Sequence, residues 1–121
     1  CILTYGPIIK KAFELRENLD KKNLNVSIYS CSTLKPFDIK RLKKIFMKYK
    51  NVIVIEDHSV INGLSQIVKV EAFENRYLGN IIDFNLQDKF LNNYESQDAL
   101  QSTHGLDNKL IFKKTLIALN R

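Results

Sequence analysis

Hydrophobic positions along this chain fall by turns into short continuous runs and into stripes spaced three and four residues apart, a pattern that predicts alternating strands and helices. "ILTYG" reads as a short apolar strand closing on Gly6, and Pro7 suits the first turn of the next helix, where its missing N–H costs little. In that helix Ile8, Ala12, Leu15 and Leu19 keep 4-3-4 spacing with Ile9 and Phe13 beside them, while Lys10, Lys11, Glu14 and Glu17 lie on the wet side. "NVSIYS", residues 25–30, alternates and is β-branched, which predicts a second strand. "CSTLKPFDIKRL" then leads into a second helix capped by Asp38, with Phe37 and Leu42 at hydrophobic-staple spacing. Its inward face is expected to hold Ile39, Leu42, Ile45, Phe46 and Tyr49.

"NVIVIE" from residue 51 is a continuous apolar run of the kind buried on both faces of a parallel sheet. After Gly63 a helix offers Leu64, Ile67, Val68 and Ala72 to the core, and "NIIDFNL" at 80–86 predicts a fourth strand. Residues 87–104 are polar, with one short helix expected at "SQDALQS". The last helix has a marked start: Gly105 turns the chain, Asp107 caps, and Leu106 sits at staple spacing from Ile111. Leu110, Ile111, Leu116, Ile117 and Leu119 are read as its docking face. Strands alternating with helices imply an α/β fold with a mainly parallel sheet.

The bulk numbers narrow the class. At 121 residues, residues 1–121 are expected to form one domain, and no apolar run approaches the roughly 20 residues that span a bilayer. Two cysteines without metal-ligand spacing to either histidine fit a reduced, cytoplasmic setting. The chain opens with Cys1 already inside an apolar stretch and Met47 as its only methionine, so it reads as a piece of a longer polypeptide. Its net charge of +6 is unevenly spread, with twelve Lys or Arg against four acids in residues 1–50 and seven against nine in 51–121. That asymmetry raises a free-standing module for nucleic acid or an acidic partner. In a sheet ordered 2-1-3-4 the chain reverses direction after the second strand, so right-handed crossovers put the first two helices on opposite faces, splitting the basic charge, and no aromatic stacking platform accompanies Lys40, Arg41, Lys43, Lys44 and Lys48. Nucleic acid is the disfavoured partner.

Chemistry, if present, gathers at Glu56, Asp57 and His58, beyond the carboxyl end of the third strand, where open parallel sheets collect ligands. The "NGLS" turn with Asn62 and Gly63 opens a helix, whose N-terminus attracts anions. Two readings stand side by side. One is a phosphate or substrate site; the other is a rim whose polar side chains cap helices, meet solvent or meet a partner. One glycine is a weak phosphate signal, since phosphate loops use several so that backbone can approach closely. Cys31 and His58 do not make a nucleophile and base. In a 2-1-3-4 sheet one strand separates them, about 10 Å from the ~4.8 Å strand spacing, where roughly 3 Å is needed. No glycine-rich fingerprint or G-D-G stretch equips the chain for cofactor chemistry.

The stretch "VIVIEDHSVINGLSQIV" resembles the C-terminal domain of transketolases and their relatives, deoxyxylulose phosphate synthase and the beta subunits of 2-oxo acid dehydrogenases. "ILTYG" looks like that family's opening strand, "STLKPFD" like its "iKPlD" turn, "LQDKF" like its "l.D.F" stretch and "HGLDNKLI" like the start of its final helix. "EDH" followed by "NGL" looks closest to the transketolase form. The resemblance implies a three-layer α/β/α fold with strand order 2-1-3-4, the family's extra antiparallel strand lying upstream of Cys1. It implies a domain that binds no cofactor itself and takes part in dimer or subunit assembly. N-terminal and middle domains, or a separate subunit, would hold thiamine diphosphate and Mg²⁺ and transfer a two-carbon ketol unit between sugar phosphates. Catalytic, cofactor and metal residues are then none in this chain, and Glu56, Asp57, His58, Asn62 and Gly63 become candidate interface or rim residues. Of the family's three turn glycines only Gly63 is present; Asn62 reaches a left-handed conformation readily, Ser65 less so.

Overall fold

The computed structural model describes residues 1–87 and 96–120. Four strands, β1 (Ile2–Thr4), β2 (Ile28–Ser30), β3 (Asn51–Ser59) and β4 (Asn80–Leu86), form one sheet in the order β2-β1-β3-β4, all neighbours parallel. A 3-10 turn at Gly6–Ile8 leads into α1 (Ile9–Asp20); α2 (Ile39–Lys48) and α3 (Leu64–Glu74) follow β2 and β3, and α4 (Gln97–Thr103) and α5 (Asn108–Leu119) follow β4. The register sets Leu3 between Tyr29 and Val54, and Val54 beside Asp83.

Each strand side meets its own helical layer. Ile2, Ile53, Ile55 and Phe84 pack with Ile8, Ala12, Leu15 and Leu19 of the α1 side and with Leu106 and Ile111 of the α5 side. Leu3, Val52 and Val54 pack with Leu42 and Ile45 of α2 and with Leu64 and Val68 of α3. Period-two alternation thus sorts successive residues of β3 into two cores, which is why the run reads as continuously apolar. Burying one Leu or Ile side chain stabilises by about 2 kcal/mol, so the two cores supply the main driving force for the fold.

Helix starts follow the capping chemistry of the sequence. Asp38 accepts the Arg41 N–H at 3.0 Å and Asp107 accepts the Leu110 N–H at 3.0 Å. Gly105 turns the chain before α5 at φ +85°. Several expectations shift. β2 begins at Ile28, although Ser27 already accepts the Ile2 N–H, and β3 runs on through Ser59 instead of stopping at Glu56. Phe13 is 49% exposed and Ile117 of α5 is 49% exposed, so neither belongs to its helix's inward face. Apolar residues surround α5 on most sides, and its geometry, rather than composition, selects Ile111 and Thr115, four apart, for burial. The short helix expected at "SQDALQS" is α4; Asp88, Lys89 and Phe90 of the "LQDKF" stretch lie outside the described residues.

Candidate functional site

The carboxyl end of β3 carries the three polar residues, and the structure sends each to a different place. Glu56 continues the Val52–Val54 side of the strand and is fully buried. Its carboxylate accepts the N–H of Leu64 at 2.7 Å and of Ser65 at 2.9 Å, the first two residues of α3. Asp57 turns to the other side and accepts from the side-chain amides of Gln97 (3.0 Å) and Gln101 (2.9 Å), which tie α4 to the sheet. His58 is exposed, and its Nδ1–H donates to the Ser59 carbonyl at 2.7 Å. Of the trio, His58 lies at the surface and Glu56 lies inside. β3 extends far enough for pleat alternation to turn Glu56 inward.

Gly63 makes the Glu56 contact possible. It sits at the N-cap of α3 with no capping side chain of its own. A Cβ there would collide with Glu56 Oε2 and come within 2.7 Å of the Ser59 carbonyl oxygen. The glycine is needed for close approach, and the group that approaches is a carboxylate of the same chain. Asn62, at φ +59°, takes the left-handed conformation its residue type tolerates, and its N–H donates to Gln66 Oε1 at 2.6 Å. Ser65 faces no such demand, because it lies inside the first turn of α3.

Electrostatics at this rim are those of a filled site. An α-helix N-terminus offers unpaired N–H groups and the positive end of the helix dipole. Glu56 takes both here, and its charge occupies the position an incoming phosphate would need. Tyr5, following β1 beside this end of β3, has its hydroxyl pKa pushed up by burial, then by the negative charge and hydrogen-bonding of Glu56 and the charge of Asp57. This terminus does not fit a diphosphate. Among the described residues no three His, Cys, Asp or Glu side chains come together as a metal-ligand set.

Cys31 lies away from this rim. β1 separates its strand from β3, and its N–H donates to the Thr4 carbonyl at 2.7 Å. It lines a cleft of about 380 Å³ with Tyr29, Phe37, Arg41 and Leu42. Burial pushes the thiol up to about 11, which keeps it protonated at neutral pH and a poor nucleophile. Sequence reasoning missed Tyr5, Gln97 and Gln101 as neighbours of the trio. A glycine N-cap without a side-chain acceptor, preceded by an acid at the end of a strand, is the signal that points to the Glu56 cap; nothing local marks the two glutamines.

A four-stranded parallel sheet flanked by helices, with Glu56 and Asp57 holding α3 and α4 to the end of β3, defines an α/β domain. The chain belongs to the family described as the transketolase C-terminal domain, which it matches over residues 1–111. It is 31% identical over 113 residues to the 1-deoxy-D-xylulose-5-phosphate synthase of Clostridium beijerinckii and 25% identical over 115 residues to that of Clostridium tetani. These alignments cover 93% and 95% of this chain but 18% of either relative, so the chain spans less than a fifth of their length. A protein of Methanocaldococcus jannaschii named as a transketolase C-terminal section is 28% identical over 95% of this chain and 35% of its own. Among solved structures, a split-gene transketolase described as an inactive beta4 tetramer superposes with a TM-score of 0.85 at 25% identity, over 98% of this chain and 38% of that one.

Proposed function

We propose that this chain is the C-terminal domain of a thiamine-diphosphate-dependent enzyme of the transketolase family and serves assembly rather than chemistry. The thiamine-binding N-terminal and middle domains, on the same polypeptide or on a separate subunit, hold the cofactor and Mg²⁺, and the complete enzyme works as a homodimer in the cytoplasm. Its reaction on this reading is transfer of a two-carbon ketol unit between sugar phosphates. The observation that carries the assignment of a helper role is Glu56: the N-terminus of α3, which opens at this rim, already holds a carboxylate at 2.7 and 2.9 Å.

Titrating this chain with thiamine diphosphate and Mg²⁺ should give no saturable binding, whereas the complete enzyme binds both. Micromolar affinity in the chain alone would overturn the assignment. A second reading, that the parent is a deoxyxylulose phosphate synthase, is favoured by the names of the two clostridial relatives. Supplying the complete enzyme with sugar phosphates in one assay, and following formation of 1-deoxy-D-xylulose 5-phosphate in another, separates the two.

A further inference from the structure

The layer built by α2 and α3 carries an apolar surface that no described residue covers. Leu78 is 97% exposed, Phe73 83% and Met47 80%. Leu78 stands between the other two, lining one shallow cleft with Phe73, Arg76 and Tyr77 and another with Met47, Lys48 and Lys50. The base beneath is ordered: the Phe46 and Tyr77 rings stack at 4.6 Å, and the Tyr77 hydroxyl donates to the Tyr49 carbonyl at 2.8 Å. Val70, one turn back along α3, and Ile61 before it are also exposed, so the apolar stripe continues toward the Gly63 turn. A lone exposed leucine is ordinary; several large apolar side chains adjoining one another mark a contact surface.

The edge of this surface selects what meets it. Lys48, Lys50 and Arg76 border it, with Glu74 beside Phe73 as the nearby acid. A second copy of a +6 chain, joined through this face, would set these cations against one another. A surface with an apolar centre and an acidic edge complements it. Related enzymes hold such protein in quantity, because the domain makes up only 18% of the deoxyxylulose phosphate synthases it matches. We propose that the Met47–Phe73–Leu78 platform is the surface on which the thiamine-binding part of the enzyme docks, through an apolar patch rimmed by carboxylates. This rests on the domain assignment under Proposed function.

Hydroxyl-radical footprinting of the complete enzyme tests it, each side chain's labelling rate being compared with its rate in the unfolded chain. Met47, Phe73 and Leu78 should label at least about tenfold more slowly in the native enzyme, as side chains in a dry interface core do. Phe13 and Ile117, both 49% exposed on the opposite layer, serve as internal references and should slow only a few-fold. Near-unfolded labelling of the platform in an enzyme with thiamine-dependent activity overturns the docking proposal and leaves the domain assignment intact. Absence of thiamine dependence overturns the assignment itself. Protection that disappears on dilution to monomers, with the thiamine-binding part still attached, gives the platform to a second copy and overturns the proposal. As an independent arm, the double variant Phe73→Asp with Leu78→Asp should weaken association with the thiamine-binding part at least about tenfold, roughly 1.4 kcal/mol. Ile117→Asp should leave that association unchanged, and equal effects of the two changes would overturn the proposal.

Discussion

Replacing Glu56 by alanine removes the acceptor for two buried N–H groups at once. The bonds are short, 2.7 and 2.9 Å, and the acceptor is charged. A hydrogen bond to a charged group contributes about 1.5 to 3 kcal/mol, and a buried donor left without a partner keeps its desolvation cost. Relief from burying the carboxylate offsets part of the loss. The expected net destabilisation is about 3 kcal/mol, which in a domain of this size lowers Tm by roughly 12 °C. Glu56→Gln keeps the shape and one acceptor but turns an NH₂ toward the second N–H, so its cost should be about 2 kcal/mol. Urea unfolding at constant m-value measures both, and amide exchange at Leu64 and Ser65 localises the effect. A glutamine variant within about 0.5 kcal/mol of the parent, the scatter of ordinary surface changes, with unaltered exchange at those two amides, would refute the carboxylate cap.

Other substitutions probe the same rim and its surroundings. Gly63→Ala should cost about 2 kcal/mol because its Cβ strikes the Glu56 carboxylate, and combining it with Glu56→Ala should cost clearly less than the two losses added; full additivity would show that the residues do not share a contact. Replacing Asp57 by alanine frees Gln97 and Gln101, so protease nicking within α4 should accelerate while the β3 amides stay protected. The Cys31 thiol is raised from 9.0 to about 11 in the folded state, which therefore binds its proton more tightly than the unfolded chain. Its contribution is complete below pH 9.0 and lost as pH rises toward about 11, an alkaline decline of order 2 kcal/mol that Cys31→Ala should flatten in pH-dependent urea unfolding. His58→Ala in the complete enzyme should leave turnover within a few fold, whereas a hundredfold loss would assign it acid–base chemistry.

The folding of β3 shows how far sequence reaches. Its apolar run announced a strand buried on both faces, and the alternation of Val52 and Val54 with Ile53 and Ile55 into two cores is the packing that such a run requires. Where the strand would end was not legible, because strand termini depend on pairing. Ser59 still pairs with Leu86 beyond an irregularity after Ile55, and that pairing keeps Glu56 and Asp57 inside the element. The caps Asp38 and Asp107 were readable from spacing alone, since each side chain reaches an N–H only three residues on.

Sequence by itself determined the alternation of elements, the parallel α/β class, the helix starts and, through its ordered motifs, the family. Those are properties of short windows, governed by period and by local hydrogen bonds. Tertiary structure decided what Glu56, Asp57 and His58 do, because pleat, register and the arrival of α3 and α4 set which neighbour each side chain meets. It likewise chose Thr115 over Ile117 for burial and left Met47, Phe73 and Leu78 uncovered. Hydrophobicity states only that a side chain gains by leaving water; the direction in which a helix face points when packed decides whether it does.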